Sequence, residues 1–125
     1  MFTTEIDQSQ NLLVVRYGGR VTPNETSQCL KEMGTALSQL PSGFRLLADL
    51  SDLQSMDVSC APHITQIMEL CNKAGVDTVI RVVPDPKRDI GLQIMSYFHY
   101  GSGVRIATCE TLAQAINMLS EENAS

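Results

Sequence analysis

Alternation is the feature that most constrains the fold. Stretches rich in β-branched and aliphatic residues trade places with stretches whose apolar residues recur every three or four positions. Two strand-like segments open the chain, Phe2-Thr3-Thr4-Glu5-Ile6 and Leu12-Leu13-Val14-Val15-Arg16-Tyr17. Helix-like and strand-like segments then alternate to the end. A strand, a helix and a further strand call for a right-handed crossover and a parallel pair, because the helix must pack back onto the sheet. The expected fold is a single α/β domain over residues 1–120, with residues 121–125 as a disordered polar tail. Its sheet is mostly parallel, with about five strands and about four helices in the order β-β-α-β-α-β-α-β-α.

Local punctuation places the elements. Gly18-Gly19 marks the exit from the second strand, and Thr22-Pro23-Asn24-Glu25 has the form of a capping box with proline at the first helical position. Leu30, Met33, Leu37 and Leu40 give that helix one apolar stripe, and Pro41-Ser42-Gly43 stops it. Arg45-Leu46-Leu47-Ala48-Asp49-Leu50 reads as an interior strand, followed by a polar loop over residues 51–57. A second helix starting near Ser59 turns Ile64, Ile67, Met68, Cys71 and Ala74 inward and ends at a left-handed Gly75. Val79-Ile80-Arg81-Val82-Val83 is the next strand, and residues 89–100 form a third helix. Val104-Arg105-Ile106-Ala107 makes the last strand; Thr108 caps a final helix that buries Leu112, Ala115, Ile116 and Leu119.

Charge and composition exclude whole classes of function. Over 125 residues the formal charge is −5 and no basic run exists, so the phosphate-neutralising surface that nucleic-acid binding needs is missing. No apolar stretch approaches the ~20 residues that span a bilayer. The first residues carry neither a basic nor an apolar export signal, which gives a cytoplasmic expectation. Cys29, Cys60, Cys71 and Cys109 form no Cys-x-x-Cys pair, so they read as small buried hydrophobes, with no metal site and no cofactor expected.

Chemistry in an open α/β sheet gathers beyond the carboxyl ends of its strands. Here that edge collects residues 18–22, 49–59 and 84–88, and Thr108. The densest polar stretch is residues 49–60, with three carboxylates and three hydroxyls just before a helix. Ser59 reads in two ways: as the helix N-cap, or as a cap that also accepts a phosphate over the positive end of the helix dipole. Asp57 is a turn-capping group or a contact for a partner. Asp49 ends a strand, yet the phosphoaspartate chemistry of receivers needs an earlier acidic pair to hold Mg²⁺, and the first main strand ends Tyr17-Gly18-Gly19. Cys60 and His63 sit three apart, but a cysteine nucleophile also needs an oxyanion site. The residues therefore read as a non-enzymatic module.

The stretches Ala48-Asp49-Leu50-Ser51 and Met56-Asp57-Val58-Ser59 resemble the signature of STAS domains, the family of anti-sigma-factor antagonists and sulphate-transporter tails. Leu13-Val14-Val15-Arg16-Tyr17-Gly18-Gly19-Arg20-Val21 resembles that family's strand leading to a glycine, and the order of elements agrees along nearly the whole chain. The resemblance implies a regulatory protein-interaction module. Ser59 takes the place of the serine that a partner kinase phosphorylates, and Asp57 that of the neighbouring acid. Asp49, Asp52, Thr22 and Cys60 join Asp57 as implied partner-binding residues, and the implied partner is a serine-kinase anti-sigma factor. The pattern departs at Val58 and Cys60, where the family has serine and glycine, and at Thr22, where it has an acid. A related branch, similar to Sec14-type lipid-binding domains, implies the alternative of a lipid or anion held between the sheet and helices near Met68, Met95 and Phe98.

Overall fold

The structure, a computed structural model, describes residues 1–83 and 103–124. Its strands are β1 (Phe2–Asp7), β2 (Leu12–Val21), β3 (Arg45–Met56), β4 (Thr78–Val82) and β5 (Arg105–Cys109). Its helices are α1 (Pro23–Leu37), α2 (Ala61–Ala74) and α3 (Leu112–Ala124), with short 3-10 turns at Gln8–Gln10 and Val58–Cys60. The strands lie side by side in chain order. β1 runs antiparallel to β2, and every later neighbour is parallel. A mostly parallel α/β sheet is thus what the alternating sequence builds. The expected helix over residues 89–100, and with it Met95 and Phe98, lies outside the described residues, as do residues 84–88.

Helices cover both faces. α1 and α2 pack together over a core that includes Leu13, Met33, Phe44, Leu50, Leu53, Ile64 and Val79. A smaller core of Leu12, Leu47, Ile80, Val82, Ala115 and Leu119 sits under α3 on the other side. Adjacent residues of one strand serve opposite cores, as Leu46 and Leu47 do, which is why the central strands read as unbroken apolar runs. Buried Arg45 ties the second layer down: its guanidinium donates to the carbonyls of Leu119 (3.0 Å) and Gln10 (3.1 Å). Gly75 closes α2 at φ 87°, the left-handed position where glycine avoids a Cβ clash.

Five expectations change. Of the stretch 51–57 expected as a loop, only Asp57 lies outside a strand, because β3 continues to Met56 and pairs with the end of β2, Gly19 against Leu53 and Val21 against Met56. Two register shifts, between Arg16 and Gly18 and between Gly19 and Arg20, interrupt this extension, so the glycines read as an exit mark irregular pairing within the strand. Thr108 lies in β5, and Thr111 caps α3 instead: its hydroxyl accepts from Gln114 N at 3.1 Å while the Gln114 side chain accepts from Thr111 N at 3.3 Å. Ile116 faces solvent at 51 % exposure, because α3 presents Ala115 and Leu119 to the core. Finally, α3 runs through Ala124, since no proline or glycine interrupts the stretch read as a tail.

Leu53 is 1 % exposed in the stretch whose polarity suggested a loop. Leu53→Ala is expected to cost about 2–4 kcal/mol in urea unfolding, the range for an emptied core site. A loss within ~0.5 kcal/mol, as at an exposed loop position, would contradict the strand assignment.

Candidate functional site

β2 and β3 outrun their neighbours at their carboxyl ends, and the first turns of α1 and α2 begin where they stop. An open cleft of about 530 Å³ lies there, with Arg20, Val21 and Thr22 on one wall and Gln54, Ser55 and Asp57 on the other. Thr22 caps α1. Its Oγ1 accepts from Glu25 N at 3.3 Å, and its own N–H donates to Glu25 Oε1 at 3.2 Å, completing the capping box. The Met1 ammonium pairs with Glu25 and holds that carboxyl below its usual range.

Asp57, not Ser59, caps the turn into α2. One carboxylate oxygen, Oδ1, accepts from both Ser59 N (2.8 Å) and Ser59 Oγ (2.7 Å). These two bonds, the backbone one foremost, lower the Asp57 pKa. The first turn is 3-10 for a covalent reason. Pro62 has no N–H to give the Val58 carbonyl, and Ala61 N–H takes that carbonyl instead. The result is an exposed Asp57-Val58-Ser59 shelf in front of α2, on which Val58 is 52 % exposed.

Beneath the shelf the polar groups are already paired. Thr26, fully buried, has its hydroxyl 3.0 Å from Pro23 O and 2.8 Å from His63 Nδ1. The hydrogen bond to His63 joins α1 to α2. Cys60 is buried with its thiol 3.7 Å from the Val21 carbonyl, and burial raises its pKa. Cys29 and Cys71 are pushed up to about 11 and about 12 by the same cause. These thiols stay protonated at neutral pH and are poor nucleophiles.

The sequence-derived site residues therefore divide. Asp57, Ser59, Thr22 and Asp52 reach the surface; Thr22 and Asp57 line the cleft, whereas Asp52 lies outside it, opposite Gly18. Cys60 does not, and it packs under the shelf with no side-chain atom offered to a partner. Asp49 is 5 % exposed, pairs with Arg16 Nε at 3.5 Å and accepts from Ser51 N and Oγ at 3.0 and 2.6 Å. Its register partner Val82 belongs to the core under α3, so Asp49 faces the side of the sheet away from α2. Two of the expected partner-binding residues are thus interior. Sequence reasoning missed Val58 as an exposed apolar group and the Thr26–His63 contact. The first carried only the signal of an apolar residue between two polar ones, and the second carried none, since it joins residues 37 positions apart. Met68, named for the ligand pocket, is a core side chain at 5 % exposure.

Among the described residues, no helix is long and apolar enough to cross a membrane, and no group of three or more metal-ligating side chains occurs. No family model matches the sequence, and no curated protein does either. Solved structures do match. The anti-sigma factor antagonist SpoIIAA in its unphosphorylated form superposes with a TM-score of 0.66 at 18 % identity, covering 96 % of this chain and 98 % of that one. An uncharacterised DUF3478 protein from Shewanella loihica, described as having a SpoIIAA-like fold, gives 0.69 at 16 % identity over 94 % and 93 %. A variant of RsbS from Moorella thermoacetica gives 0.65 at 17 % identity over 98 % of both chains. The chain has the SpoIIAA-like fold.

Removing the Asp57 carboxylate strips the shelf of its cap. Asp57→Ala is expected to lower the thermal midpoint at neutral pH. A carboxyl whose folded pKa is depressed stabilises above its unfolded value, about pH 4, and loses that contribution as pH falls through the lower folded value. The gap between wild type and variant should therefore close on acidification below about pH 4. A gap that is constant with pH would show that the bonds to Ser59 do not depend on the charge.

Proposed function

We propose that the protein is a non-enzymatic regulatory module that docks a protein partner through the Asp57–Ser59 shelf and the adjoining cleft, in the manner of an anti-sigma factor antagonist. The observation that carries this reading is the placement of Ser59. Its hydroxyl is exposed at a strand-to-helix junction, on a fold shared with SpoIIAA and RsbS. Val58 supplies an apolar anchor beside it, Thr22 lines the adjoining cleft, and Asp52 is an exposed carboxylate further back along β3. The partner this implies is a serine-kinase anti-sigma factor, and Ser59 is the residue it would phosphorylate.

Physics supplies the switch. In the unmodified protein the Ser59 hydroxyl donates to Asp57. A phosphate replaces that proton with about two negative charges beside the same carboxylate, so the bond becomes a repulsion. The helix dipole favours the phosphate by less than this repulsion opposes it, since the nearby carboxylate carries a full charge. Modification would therefore disturb the docking shelf itself.

Incubation with ATP and serine-kinase anti-sigma factors from the same organism, followed by intact-mass measurement, tests the proposal. One phosphate is expected on the wild type and none on Ser59→Ala, with partner affinity at least tenfold lower for the phosphorylated form. Binding that Val58→Asp and Ser59→Asp leave unchanged would contradict the docking surface.

A further inference from the structure

β1 is one margin of the sheet, and among the described residues it pairs with β2 alone. Which of its backbone groups face outward follows from printed bonds. Met1 and Gly18 exchange both main-chain bonds, at 2.9 and 2.8 Å. On the far side of β2, Arg45 N donates to Asn11 O at 2.8 Å, so residues 11, 13 and 15 turn toward β3 and residues 12, 14 and 16 toward β1. Both observations give the same alternation. Thr3, Glu5 and Asp7 spend their N–H and C=O groups on β2, whereas those of Phe2, Thr4 and Ile6 point away from the sheet.

The same three side chains lie on the α1 face, because their register partners Tyr17, Val15 and Leu13 belong to the core under α1. Just outside them is a groove of about 330 Å³ between β1 and α1, lined by Thr4, Ile6, Glu32, Thr35, Ala36 and Gln39. Exposed edge strands normally carry a guard such as lysine, proline or a bulge. β1 has no basic residue and no proline, and its register with β2 is unbroken.

We propose that this edge pairs with the β1 strand of a second copy of the chain, antiparallel, with the two-fold axis at Thr4. The strand is close to self-complementary about that residue. Phe2 of each copy would face Ile6 of the other, Thr4 would face Thr4, and on the opposite face Thr3 would face Glu5. No like charges stand directly opposed within the strand pair, and the apolar ends meet each other. Three residue pairs then each exchange two main-chain bonds, using every outward group of β1. The two copies of α1 flank the seam and fill each other's groove. Glu32, which accepts from Thr4 Oγ1 at 3.4 Å, approaches its counterpart across the axis. Association is therefore weak, with a dissociation constant of roughly 0.1 mM. The other margin offers less, since Arg105 and Cys109 already spend main-chain bonds on the Asp77–Val83 side, leaving Ile106 and Thr108 to face outward.

Sedimentation equilibrium up to about 1 mM protein tests this. Wild type is expected to approach twice 13.7 kDa. Thr4→Pro removes one outward N–H and leaves the bonds to β2 intact. Thr4→Glu keeps every backbone group and adds a second pair of carboxylates on the axis beside Glu32. Each variant is expected to weaken association at least tenfold with an unchanged far-ultraviolet spectrum. A wild type that stays monomeric at about 1 mM, or a dimer that both variants leave undiminished, would overturn the proposal.

Discussion

The pairing of β2 with β3 beyond the rest of the sheet is the constraint on which the site depends. β4 accompanies β3 only from Arg45 to Asp49, yet β3 runs on to Met56 with β2 beside it. Two-stranded ribbons are marginal unless one face is buried. Here Leu53 and Met56 supply that face by reaching back into the core under α1 and α2. Through this anchoring the ribbon fixes where the chain must turn, and Asp57 stands one residue past its end.

Two copies of one local device then acquire different fates. Asp49-Leu50-Ser51 and Asp57-Val58-Ser59 each fold so that an aspartate oxygen accepts both the N–H and the hydroxyl of the serine two residues on. Inside the sheet, the first unit has a buried carboxylate completed by Arg16 and a half-buried serine. At the ribbon's tip, the second stands in solvent. Local chemistry alone does not separate them. Their distance along the ribbon does, which leaves Ser59 as the hydroxyl a macromolecule can reach.

Much of the architecture was legible because its signals are local or periodic. The Thr22–Glu25 capping box, the inward row Ile64, Ile67, Met68 and Cys71, and the left-handed Gly75 all appear where spacing puts them. What escaped was set by tertiary pairing. Ser51, Asp52, Gln54 and Ser55 look like a loop because one face of the ribbon is wet, and bulges break the strict two-residue alternation that would have marked a strand. Asp49 and Asp57 looked equivalent because burial is not written in a carboxylate's neighbours. Ser59 read as a cap by proximity to the helix, but the 3-10 turn that Pro62 imposes shifts the capping role to Asp57.

The most direct measurement is a set of backbone nuclear Overhauser effects in solution between the ends of β2 and β3. Cross-strand contacts linking Gly19 with Leu53 and Val21 with Met56 are expected, following their register. Residues 51–57 showing coil-like shifts and no contact to residues 18–21 would contradict the account, because nothing would then hold the Ser59 shelf at the rim.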